Sequence, residues 1–166
     1  MSLVHQLATL VAPWAEYYGS HTVAQTAVTF GHFGGMMTAG GFALATDRGT
    51  LRAIRGESWE QRRHLRELAA VHPIILGGLA VTSLSGLLMF AADVEALAGS
   101  GVFWTKMLLV LLLLLNGWFM IRTERLLRAG HPSDYRYWKR LRLASLASLG
   151  LWFAVVLAGS ILPTVS

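Results

Sequence analysis

The sequence predicts an all-α fold: an integral membrane four-helix bundle preceded by a short N-terminal amphipathic segment lying at the interface. Three observations predict it. Apolar residues make up 54% of the 166-residue chain and charged residues only 14%, where soluble domains run at about 25% charged. Mean hydropathy is positive, at +0.51. Four stretches reach the roughly 20 mostly apolar residues that a helix needs to cross about 30 Å of hydrocarbon, and helices satisfy their own backbone hydrogen bonds there. The length fits one membrane domain over residues 1–166. Cysteine is absent, which excludes disulfides, Cys-ligated zinc, iron–sulfur clusters and covalently attached c-type haem.

Residues 1–22 form the outer interfacial segment. They contain no Lys or Arg, so they lack the positive start of a signal peptide. Leu3, Leu7, Leu10, Val11 and Trp14 recur at helical spacing, and Pro13 is expected to limit a continuous helix. Trp14, Tyr17 and Tyr18 suit head-group depth. The four spans are expected at about residues 23–45, 70–92, 102–121 and 141–162. On the first, Ala27, Gly31, Gly35 and Ala39 are spaced four apart, a small-residue ridge that lets another helix approach closely. Gly78, Thr82 and Gly86 make a second ridge, so the first two spans should pack together across a loop of about 24 residues. The third span is a Leu-rich wall interrupted by Asn116, whose amide is expected to bond to another helix. On the fourth, Ala144 and Ser148, then Ala154 and Ala158, offer close contacts, with Trp152 and Phe153 near mid-span.

Charge sets the direction. Thirteen of the fourteen Lys and Arg residues fall in the loop after span one or in the segment from Arg122 to Arg142, Lys106 being the exception. The positive-inside rule puts those segments in the cytoplasm and both termini outside, in a bacterial plasma or derived internal membrane. The net charge of +5 is thereby a matter of topology and anionic head groups, and nucleic acid is not expected as a partner.

Chemistry-bearing residues are few. No nucleophile–base–acid set, Walker loop, dinucleotide fingerprint or zinc-protease motif occurs, so an enzyme is not the favoured class. His5, His21, His64 and His131 read as solvated or interfacial, as do Asp93 and Glu95. His32 differs: it lies inside span one, about 20 Å from the basic end, and intramembrane ionisable residues are functional candidates. Gln25, Thr29, His32 and Met36 share one stripe. His32 with Met36 could hold haem b or copper, or relay protons; alternatively His32 is neutral and bonded to a Ser, Thr or Asn on a neighbouring helix. Met37 and Met89 are further candidate partners. His72 precedes Pro73 at the start of span two, and a His32–His72 clamp on one haem is opposed by an offset of about 17 Å along the membrane normal.

His32-Phe-Gly-Gly, Gly40–Gly41 and Thr46-Asp47-Arg48, together with Phe103-Trp104-x-Lys106 leading to Asn116, resemble small four-span bacterial membrane proteins of the copper-resistance-D-like type and their uncharacterised relatives. The likeness covers about residues 25–125. It implies a four-helix membrane bundle with a histidine near the middle of span one. It further implies Asp47 and Arg48 capping or pairing at the inner end, Lys106 anchoring span three, and copper handling for part of the group. The chain departs from copper uptake in having no Met/His-rich tract outside the spans.

Two function classes follow. One is a non-catalytic accessory or structural subunit of a larger, bioenergetic membrane complex, whose partners are lipid and other membrane subunits. The other is a haem b- or copper-binding electron-transfer or transport protein centred on His32.

Overall fold

The computed structural model describes residues 3–129 and 135–165, with side chains to 162. The described residues form helices and no strand. They are α1 (Leu3–Ser20), α2 (Thr22–Ala53), α3 (Ser58–Ala92), α4 (Val94–Gly99), α5 (Gly101–Arg128) and α6 (Tyr135–Val165). Among the described residues, three helices are long and apolar enough to cross a membrane: Ser58–Ala92, Gly101–Arg128 and Tyr135–Leu162.

Several boundaries differ from expectation. The helices continue well past the apolar stretches, so the expected 24-residue loop shrinks to the turn between α2 and α3, and Arg48, Arg52, Arg62, Arg63 and Arg66 stand on helical arms. The arms are amphipathic: Leu65 and Leu68 are buried while the arginines around them face out. A capping box starts the α3 arm, with Glu57 and Glu60 satisfying one another's backbone N–H groups. Pro73 sits inside α3 rather than at its start. Pro13 also lies inside a continuous α1. It forfeits one helical hydrogen bond, and the helix is held just beyond it, where the Trp14 indole donates to the Leu88 carbonyl at 2.8 Å. Between Asp93 and Gly101 the expected loop holds the short α4, and Ser100 caps α5 by accepting from the Phe103 amide.

The four long helices run alternately up and down. Gly35 faces Gly78 and Gly49 faces His64 across α2–α3. Gly40 lies on Trp152 across α2–α6. The Asn116 amide donates to the Ala144 carbonyl at 3.0 Å across α5–α6. Each pairing is antiparallel, which gathers the arginine-bearing ends together at one end of the bundle, the basic end. α2 packs against both α3 and α6, and α6 against α5, while the backbones of α3 and α5 stay apart along most of their length. Those two helices touch near their ends, through Arg128 and the Leu65 carbonyl at the basic end and stacked Phe90 and Phe103 rings at the other.

Two clusters form the core. At the basic end, Leu65, Leu68, Met120, Leu127, Trp138, Leu141 and Ala144 pack together. Further along, Ala39, Ala43, Leu113 and Trp152 form the second. The α2–α3 seam beside it is closer still. A Cβ on Gly35 would lie 2.7 Å from the Gly78 carbonyl oxygen, and one on Gly78 2.8 Å from that of Gly35. Neither position admits a side chain without moving backbone.

Candidate functional site

Polar groups from all four long helices meet where α3 and α5 part. Helical periodicity brings them there. On α2, Ala39, Ala43 and Asp47 share one face at spacings of four. On α3, Leu65, Leu68, His72, Ile75 and Leu79 alternate spacings of three and four, and on α5 Leu113, Gly117, Met120, Glu124 and Leu127 do the same. Ser148 follows on α6, one turn from Trp152. These stripes enclose a cavity of about 250 Å³. Asp47, His72, Glu124 and Ser148 line its basic-end part, and Leu79, Leu113 and Trp152 its far part. Its rim is apolar and exposed at Leu76, Leu114 and Trp118, so the cleft opens sideways between α3 and α5.

Two carboxylates are fully enclosed here, Asp47 at 1% and Glu124 at 2% exposure. Glu124 stands 3.6 Å from His72 Nε2 through Oε1 and 3.6 Å from an Arg128 nitrogen through Oε2. Both distances are too long for a hydrogen bond. Ser148 and Ser145 stand beside Asp47. Among the described residues, Asp47 Oδ2, Glu124 Oε1 and Ser145 Oγ make no hydrogen bond of good geometry. Leaving such a group bare costs on the order of 1–3 kcal/mol; the Ser145 hydroxyl is a donor beside Asp47, so Glu124 Oε1 is the acceptor whose capacity the described residues do not fill.

His64 lies nearer the α2–α3 turn. It is buried, and its Nε2 meets the Thr50 hydroxyl at 2.8 Å. This corrects the expectation of a solvated histidine: the α3 arm is helical and turns His64 against α2. Asp47 does not cap the end of its helix, because α2 continues to Ala53; its carboxylate faces α6 instead.

His32 occupies a separate place, on the α2–α3 seam. Its Nδ1 lies 3.1 Å from the Thr82 carbonyl oxygen and 3.2 Å from the Ser85 hydroxyl. Gly86 makes room for the ring, since a Cβ there would fall 3.3 Å from His32 Cε1. Met36 follows one turn along α2 and is half-buried, while Met37 is exposed. His72 is not brought to His32: it sits ten residues before Thr82 on α3, about 15 Å along the axis, where it faces Glu124. Among the described residues no group of three or more His, Asp or Glu is placed to hold a metal ion.

The other packing candidates are distributed along the bundle. Gly31 faces Val81 across the seam, Ala39 and Thr82 press on Gly78 and Gly35, and Ala27 is exposed. Lys106 reaches toward Gly159 of α6. Trp152 is buried and Phe153 exposed. His5, near Glu95 at 3.5 Å, and His21 are exposed, and His131 lies outside the described residues. Glu124 escaped the reading of the sequence because three arginines, at 122, 125 and 128, surround it there. Its place on the stripe of Leu113, Met120 and Leu127 was the signal that could have found it. No protein-family model, curated protein or solved structure matches the chain.

Proposed function

We propose that the chain is a four-span membrane protein with both termini outside the cytoplasm, serving as a non-catalytic accessory subunit of a larger bacterial inner-membrane assembly of the bioenergetic kind. One observation carries the reading: every long helix, α2 included, turns large apolar side chains outward. Phe30, Phe33 and Met37 on α2 are 77%, 55% and 75% exposed. Leu84 and Leu87 on α3, Leu108, Leu111 and Leu115 on α5, and Phe153 and Leu157 on α6 are exposed likewise. Such continuous apolar surface suits lipid or neighbouring subunits and not water. α2 is not among the three helices apolar enough to span by composition, because its stretch at 23–45 carries Gln25, His32, three threonines and five glycines among its apolar residues.

Reporter fusions test the topology. A periplasm-sensing reporter at Ser166 is expected to be active and one inserted in the α2–α3 turn silent; the reverse pattern refutes the orientation. Mild solubilisation followed by native electrophoresis tests the subunit role. Migration within a complex larger than the chain's own oligomers supports it, and migration alone from native membranes refutes it.

The alternative, a haem b or copper protein centred on His32, is favoured by one feature: the imidazole lies inside the bundle with a thioether, Met36, one turn away. The same preparation decides it. A Soret band or stoichiometric copper that disappears in His32→Ala establishes this second reading.

A further inference from the structure

We propose that the lateral cleft between α3 and α5 is a binding site for a neutral, membrane-soluble molecule with a hydroxylated aromatic ring and an apolar tail, a hydroquinone by chemical class. The cleft opens sideways onto the apolar surface, past the exposed rim of Leu76, Leu114 and Trp118. A ligand therefore enters from the lipid without crossing an aqueous phase. Its polar end holds an enclosed carboxylate oxygen, Glu124 Oε1, that accepts nothing among the described residues, beside Asp47, whose carboxylate the Ser145 and Ser148 hydroxyls flank. Carboxylate oxygens are acceptors, so the missing partner is a donor.

Charge separates a hydroxyl donor from an ammonium. Arg128 already flanks Glu124, and thirteen of the fourteen Lys and Arg residues lie toward that end of the molecule. A cation entering from lipid would have to shed its hydration before it reached the carboxyls, while a neutral hydroxyl meets no such barrier and donates a hydrogen bond. Size separates a head group from a whole amphipath. At about 250 Å³ the cavity falls below the roughly 300–1,000 Å³ of pockets that enclose a drug-sized ligand. It takes one ring and leaves the tail in lipid. Two indoles line it, Trp118 on the rim with Arg122 over its ring, and Trp152 within against Gly40, and aromatic side chains suit contact with such a ring. His72, 3.6 Å from Glu124, can accept or donate beside the same hydroxyl.

The site rests on the membrane-spanning reading, but binding does not depend on which way the chain is inserted, so reporter fusions and binding measurements fail independently. The purified full chain in phosphatidylcholine vesicles is titrated with a decyl-substituted benzohydroquinone kept reduced, with Trp fluorescence as the readout and Trp118→Phe to assign the signal. Saturable quenching by the hydroquinone is expected, with binding by its dimethyl ether, which keeps the ring and loses both donors, at least about tenfold weaker. Dioleoylglycerol, a hydroxylated lipid without a ring, should not compete. Asp47→Asn and Glu124→Gln should each weaken hydroquinone binding about tenfold, while Ser160→Ala, far from the cleft, leaves it unchanged. Equal binding of the ether overturns the role of the carboxylates. Competition by dioleoylglycerol at equal concentration assigns the cleft to a lipid head group and overturns the ring. Linear, unsaturable quenching overturns the site. The ether and diacylglycerol arms use the unmodified chain, so they decide the matter even where a substitution prevents folding.

Discussion

The two faces of α3 are built on opposite plans. Toward α2 it presents Gly78, Thr82, Ser85 and Gly86, and the backbones come close enough that a methyl group at Gly35 or Gly78 would strike a carbonyl oxygen under 3 Å away. Toward α5 it presents Leu76, Leu79, His72 and Ile75, and the helices stand apart around a cavity with an enclosed acidic end. The same helix thus makes a seam where its side chains are small and a cleft where they are large. In lipid no hydrophobic force draws helices together, so packing and interhelical hydrogen bonds decide which pairs close. The contrast teaches that the cleft is not a failure of packing. The ends of α3 and α5 meet, through Phe90 on Phe103 and Arg128 on Leu65, and only the middle is held open.

Substitutions that swap the two plans should break the contrast, and the largest effect belongs to the seam. Gly35→Val must displace the Gly78 carbonyl and the Thr82 amide. It is expected to lower stability by about 3 kcal/mol, at the upper end for overpacking, read as a large fall in the melting temperature of the detergent-solubilised chain. Asn116→Ala removes a side-chain hydrogen bond between α5 and α6, from the Asn116 amide to the Ala144 carbonyl. It should cost about 0.6–1.7 kcal/mol, the range for interhelical polar contacts in membranes, measured in the same melt. Gly117→Ala sharpens the comparison by its sign. Gly117 lines the cleft, and a Cβ there meets nothing within 4 Å. Helix propensity then stabilises by up to about 1 kcal/mol, and the melting temperature should rise where that of Gly35→Val falls. Leu114→Ala, on the open rim, should change stability by less than about 0.5 kcal/mol; a loss comparable to that of Gly35→Val would show that the cleft is closed in the membrane.

Much of the fold was legible because hydropathy and small-residue spacing are local. The apolar runs in α3, α5 and α6 identify themselves, and Gly35 and Gly78 sit on stripes visible in the sequence. The arms were not legible as helices. Arg62, Arg63 and Arg66 dominate their segment and read as a solvated loop, while the helix there is held by Leu65 and Leu68 reaching across to Leu127 and Leu141. The candidate site was less legible than the fold. His32 drew attention as a lone histidine in an apolar span, yet the structure gives it ordinary partners in Thr82 and Ser85. Asp47 and Glu124 lie just past the apolar runs, beside arginines, where a carboxylate is usually solvated. Their burial depends on three other helices, and no local pattern encodes it.

The helical arms carry one more consequence under the four-span reading. From Ala45 to Ala53 α2 advances eight residues, about 12 Å, past the roughly 5–7 Å of head groups that lie outside the hydrocarbon. Arg48 stands among the lipid head groups, whereas Arg52 and Arg55 at the tip stand on their watery side. Successive turns of one rod thus meet different surroundings, the nearer the phosphates of the leaflet and the farther bulk water.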